Sequence, residues 1–193
     1  TGPFTQTSGT LTLVVAVPTL TIATNAPTGA AVGDAYSQTN PASGGDTPYT
    51  YALASGSVPT GTALNTVTGT VSGTLTAAES FSYTVQVTDS QGITTTATGT
   101  LVSVTVAKGS QTIVFNSTAP AAASVGGATY IPTATATSGL TVGFAIDAGS
   151  SAVCAISGGV VSFQSAGTCV INADQAGDSN WNAAPQAQQS SAA

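Results

Sequence analysis

Residues 48–89, PYTYALASGSVPTGTALNTVTGTVSGTLTAAESFSYTVQVTD, decide the fold. Three short runs within them alternate apolar with polar residues: Tyr49–Leu53, Gly69–Gly73 and Phe81–Thr88. Side chains along a strand point to opposite faces in turn, so this alternation predicts strands with one face in a core and one in water. Clusters of Gly, Pro, Ser and Asn separate the runs at intervals of about ten residues, which folds them into an antiparallel β-sandwich.

The composition extends that reading to the whole chain. At 193 residues it suits one large β-domain or two of about 100 residues each. Apolar residues make up 41%, enough for a core, while charged residues are only 4%, against about 25% in ordinary soluble domains. Solubility then rests on Thr, Ser and Gly, as in secreted β-modules. The net charge of −6 comes from seven acids and one base, Lys108. A nucleic-acid partner is excluded, because phosphate binding needs many Lys and Arg to displace counterions. No run approaches the 18 or so apolar residues of a membrane-spanning helix. A secretion signal, if one directs the chain, is expected to have been removed already.

Outward from the opening stretch, Asp34–Thr39 is expected as a strand before it. Thr94–Val106 is expected to pair with Phe81–Thr88 around the polar turn Asp89-Ser90-Gln91-Gly92. The string PYTYALASGSVPTGTALNTVTGTVSGTLTAAESFSYTVQVTDSQG resembles an immunoglobulin-like repeat of bacterial surface proteins. That family shows a Tyr-rich strand, SGxxPxG, LNxxTGxxSGTxT and FxxTVxVTDSxG. The resemblance covers most of residues 19–107. Gly61-Thr62-Ala63-Leu64 departs from it, since the pattern has GLxL there.

Lys108-Gly109-Ser110 reads as a linker too short to let its neighbours move freely. Beyond it, strands are expected at Gln111–Phe115, Tyr130–Thr137, Val142–Ile146, Val153–Ile156, Val160–Gln164 and Thr168–Ala173. QTIVF, ATSGLTVGFAID and AVCAISGGVVSFQSAGTCVINADQAGDSNWNAAPQAQQS resemble a second bacterial Ig-like repeat, over residues 110–190, whose members carry the same paired cysteines. The expected architecture is all-β: two tandem Ig-like antiparallel sandwiches, residues 18–107 and 111–193, with an extra N-terminal strand within residues 1–17.

That extra strand is Thr10-Leu11-Thr12-Leu13-Val14-Val15-Ala16-Val17, which Pro18 stops. It resembles Thr96–Ala107, the expected last strand of the first unit. The second unit closes on Ser190-Ser191-Ala192-Ala193, where an apolar strand would be expected. A spare strand at one end and a weak one at the other suggest donation of residues 10–17 to a neighbouring copy, which main-chain hydrogen bonds would hold. A longer tandem array would place the same residues without donation.

Candidate sites are few. Without histidine there is no Ser–His or Cys–His pair and no imidazole ligand, so no catalytic residue is assigned and the chain is read as a non-enzyme. Cys154 and Cys169 form an even pair that fits a structural disulfide outside the cytoplasm, closing a loop of about fifteen residues. Asn172, Asp174, Asp178 and Asn180 form an oxygen-rich stretch that calcium could use, though an ordinary turn fits equally well, and no other cofactor is expected. Asn116-Ser117-Thr118 is a glycosylation sequon. Trp181 is read as a plug near the disulfide rather than a sugar-stacking platform. Thr133, Thr135 and Thr137 are read as the exposed face of an ordinary strand.

The functional expectation is a structural module of a bacterial surface protein, a stalk or adhesin repeat or a filament subunit. Its partners would be copies of itself or adjacent Ig-like repeats. The alternative is a carbohydrate-binding accessory module, whose glycan ligand only exposed aromatics would support.

Overall fold

The computed structural model describes residues 18–23, 30–96 and 102–193. The proposed donor strand, Thr10–Val17, lies outside them.

The first sandwich contains β1 (Thr21–Ile22), β2 (Ala30–Ala31), β3 (Ala35–Gln38), β4 (Ala42–Ser43) and β5 (Thr50–Gly56). It continues through β6 (Thr62–Leu64), β7 (Val71–Thr74), β8 (Ser80–Thr88), β9 (Thr94–Thr96) and β10 (Val102–Ala107). One sheet has the order β2-β10-β8-β5, and the facing sheet the order β3-β7-β6. These are the interleaved sheet orders of an immunoglobulin sandwich, with β2 joining β10 in parallel. The expected hairpin forms: β9 and β10 pair in turn along β8.

Alternation in β8 explains why that strand is central. Phe81, Tyr83, Val85 and Val87 are all buried, and the residues between them are half-buried or exposed. Their core partners are Tyr36, Tyr51, Val71, Leu75, Val104 and Val106. The core also holds polar groups. Tyr36 and Tyr83 bring their hydroxyls within 3.1 Å of each other, and both donate to the amide oxygen of buried Gln38. Burial pushes both phenols above their ordinary pKa, so they stay neutral donors.

The segment Ala54–Leu64 is less of a loop than its composition suggests. β5 runs on to Gly56 past a bulge between Leu53 and Ser55, and β6 pairs with β7. At the departure from GLxL, half-buried Thr62 sends its hydroxyl to the Pro59 carbonyl at 2.7 Å, and Leu64 still packs on the core. A hydroxyl with a local acceptor therefore stands where the pattern has leucine.

The second sandwich contains β11 (Ile113–Phe115), β12 (Ala134–Ala136), β13 (Gly143–Ile146), β14 (Cys154–Ser157), β15 (Val160–Phe163), β16 (Thr168–Asp174) and β17 (Ala187–Ala192). One sheet is β13-β16-β17. The opposite side is built from β11–β12 and β14–β15, which a bridge between Tyr130 and Val161 brings together. Cys154 of β14 is disulfide-bonded to Cys169 of β16, so the bond ties the two sides covalently through a core of Tyr130, Val161, Phe163 and Ile171. Phe115 and Phe144 meet at 5.9 Å beside it.

The end of this sandwich corrects the sequence reading. Ser190, Ser191 and Ala192 belong to β17, which pairs with β16 in unbroken register from Ala173↔Ala187 to Thr168↔Ala192. Ladder bonds need no apolar side chain, and the inward position opposite Cys169 takes Ser191, whose hydroxyl donates to the Pro120 carbonyl at 2.7 Å. The closing strand that the sequence left weak is therefore present in full.

Asp89 anchors the β8–β9 turn. It is 7% exposed, and its carboxylate accepts bonds from the amides of Gln91 (3.0 Å), Ile93 (2.9 Å) and Asp46 (3.2 Å). Burial alone would raise its pKa, but the amides of Ile93, Asp46, Gln91 and Gly92 outweigh that and hold it below the usual carboxylate value. A depressed folded pKa contributes stability above the unfolded value of about 3.9 that is lost as the pH falls through the lower folded one. Denaturant midpoints between pH 5 and 2 should therefore fall less steeply for Asp89→Ala than for the parent chain. Separately, replacing Cys154 and Cys169 together by alanine should cost the second sandwich about 3 kcal/mol, read from its urea transition.

Candidate functional site

The described structure concentrates its unusual contacts at the junction between the sandwiches. There the backbone of Gly109 forms a parallel bridge with Trp181. Its N–H donates to the Asn180 carbonyl and its carbonyl accepts from the Asn182 N–H, both at 2.9 Å. Glycine is required here for space. A Cβ on Gly109 would lie 2.5 Å from the Val32 carbonyl oxygen and 2.6 Å from the Trp181 ring.

The loop that presents Trp181 is fixed by its own turn. Asp178 Oδ1 accepts from the amides of Asn180 (2.8 Å) and Trp181 (2.9 Å), an Asp-capped turn that aims the indole back at the first sandwich. The ring packs against the first core although it belongs to the second sandwich. Beside it, Asn180 Oδ1 accepts from the Ala78 N–H at 3.0 Å, a direct bond between the sandwiches. Lys108 Nζ donates to the Asp178 carbonyl at 2.6 Å, and buried Gln111 donates to Gln175 Oε1 and the Asn182 carbonyl, each at 2.6 Å.

Trp181 is thus the expected plug, but in a different place: it closes the junction, while the disulfide lies in the other core. The reason is the turn at Asp178, which points the ring away from its own sandwich. Lys108 spends its ammonium on a carbonyl of the same loop.

The four residues considered for calcium separate into two pairs. Asn172 and Asp174 sit on β16, where Asn172 Oδ1 accepts from Gln188 (2.8 Å) and both oxygens of Asp174 accept from Gln186 (2.9 and 3.1 Å). Asp178 and Asn180 are the turn and the cross-junction acceptor just described. Among the described residues, no group of three or more His, Cys, Asp or Glu side chains is gathered to hold a metal. Asn116 is exposed and accepts from the Thr135 hydroxyl at 3.4 Å, and Thr133, Thr135 and Thr137 are exposed together. Among the described residues no helix is long and apolar enough to cross a membrane.

Sequence reasoning missed the junction residues Val32, Gly33, Ala78 and Gln111. One available signal was the run Asp178-Ser179-Asn180-Trp181, in which a turn-forming acid precedes the chain's single tryptophan.

Residues 18–107 match the family described as "Putative Ig domain". The match spans the first sandwich, a little under half of the chain. Solved structures that align with the chain include Drosophila N-cadherin EC1-4, at 11% identity and TM-score 0.33, over 93% of this chain and 51% of that one. The three N-terminal domains of the bacteriophage RB49 Highly Immunogenic Outer Capsid protein align at 15% identity and TM-score 0.37, over 90% and 59%. Protocadherin Gamma B2 extracellular cadherin domains 1-5 align at 12% identity and TM-score 0.36, over 91% and 39%. The chain therefore spans about half the length of these structures. No curated protein matches it.

The Ig-like domain supplies Val32, Gly33 and Ala78 to the junction, and the second sandwich supplies Asn180 and Trp181. Gly109→Ala should push the two apart by overpacking, at about 1–3 kcal/mol, while each sandwich stays folded. A red shift of Trp181 emission with unchanged far-ultraviolet circular dichroism would be the signature.

Proposed function

We propose that the chain is a structural module of an extracellular surface protein, a stiff spacer in a stalk or adhesin. Residues 18–107 and 111–193 would be its two domains, and residues 108–110 a clamped joint. The observation that carries this reading is the junction: the linker backbone is hydrogen-bonded into the second sandwich while Trp181 and Asn180 reach back to the first. A joint bonded through its own backbone transmits orientation from one module to the next, which a projecting stalk needs and a flexible tether does not. The neighbours would be further Ig-like repeats, on a bacterial cell surface.

The strand-donating filament loses half of its motive because β17 already closes the second sheet. The spacer reading stands without it.

Small-angle X-ray scattering tests the spacer. The parent chain should scatter as one elongated body of fixed shape, and Trp181→Ala combined with Asn180→Ala should broaden the interdomain distance distribution. A parent chain that already fits an ensemble of freely jointed sandwiches would overturn the proposal.

A further inference from the structure

An open hollow of about 380 Å³ lies at the junction, lined by Val32, Gly33 and Asp34 of the first sandwich, Ser110 of the linker, and Thr137 and Trp181 of the second. Its size falls within the range of small-molecule sites, about 300–1,000 Å³. Three polar groups around it are unspent. Asp34 uses Oδ2 to accept from the Ala31 N–H at 2.9 Å, which leaves Oδ1. The Ser110 hydroxyl and the Trp181 indole N–H form no hydrogen bond among the described residues.

We propose that this hollow binds a neutral sugar, one hexopyranose unit of a surface or matrix glycan. A pyranose has an apolar C–H face and a rim of hydroxyls, each able to donate and accept. The part of the half-buried indole that lines the hollow offers an apolar surface, Asp34 Oδ1 an acceptor, and the Ser110 hydroxyl both a donor and an acceptor. Other ligand classes use this set poorly. A cation would engage the carboxylate and the ring but leave the Ser110 hydroxyl proton without an acceptor. An anion would meet Asp34 and a chain of net charge −6.

The site has a second property. Its walls come from both sandwiches and the linker, so it exists only while they are docked, and a bound sugar stabilises the docked state by mass action. The site rests on the docked junction of the spacer reading: a chain that scatters as freely jointed sandwiches removes both, whereas a docked chain that binds no glycoside removes this one alone.

The test uses the whole chain. Trp181 is its single tryptophan, so its emission reports on the junction and the hollow beside it. Unchanged small-angle scattering on titration separates binding from undocking. Methyl glucoside, galactoside and mannoside, in both anomers, are titrated, with saturation-transfer NMR as a second readout. At least one should change the emission saturably. Asp34→Asn, which keeps an acceptor for the Ala31 N–H, should weaken that ligand about tenfold, the scale of one charge-assisted hydrogen bond. Ser110→Ala, which removes a hydroxyl with no partner among the described residues, should weaken it several-fold. The proposal is overturned if no glycoside binds, if both variants bind as the parent does, or if tetramethylammonium saturates the emission change and the sugars do not.

Discussion

Gly109 lies closer to Val32 and Trp181 than any side chain would permit, and the relation between the two sandwiches follows from that approach. With the backbone in this position, its N–H and carbonyl are satisfied by the 180–182 loop, and the loop in turn delivers Trp181 to the first core and Asn180 to Ala78. A single methyl group would separate these contacts, because the atom it meets on one side is a carbonyl oxygen that cannot rotate away. The three-residue linker is thus part of a packed surface, and its shortness and its glycine are one requirement.

The second governing fact is the scarcity of charge. Lys and Arg can cover apolar surface with their stems while keeping the charged head in water, and this chain has one such residue. This chain uses amides and hydroxyls in their place. Gln111 ties its strand to Gln175 and Asn182, Gln38 receives two tyrosines in the first core, and Ser191 answers Pro120 opposite the disulfide. Contacts between neutral groups respond little to salt, because screening acts on charges. With one base among 193 residues, the described contacts at the junction therefore depend little on ionic strength.

What could be read from the sequence follows the range of the forces involved. Alternation in Phe81–Thr88 is a local property of the strand, and β8 formed with those faces buried and exposed as expected. The hairpin at Asp89 was equally local. Ser190–Ala192 misled because hydropathy reports burial, whereas a ladder is held by backbone groups that every residue carries. The junction was hidden for another reason: Asn180 and Ala78 are 102 positions apart, and nothing in either neighbourhood names the other. Only the turn-forming Asp178 beside a lone Trp181 hinted that the ring faces outward from its own sandwich.

The disulfide has a consequence for a chain that is pulled. Both sulfurs are buried, with Cys154 1% and Cys169 0% exposed, so a reductant reaches them only after the second sandwich opens. Residues 155–168 are then a closed loop that tension cannot draw out. At about 3.4 Å per extended residue, the 15-residue separation withholds roughly 5 nm of length from the stretched polymer. Oxidation state would therefore set how far this module lengthens after it yields, and a reducing environment would turn a short-travel link into a longer one.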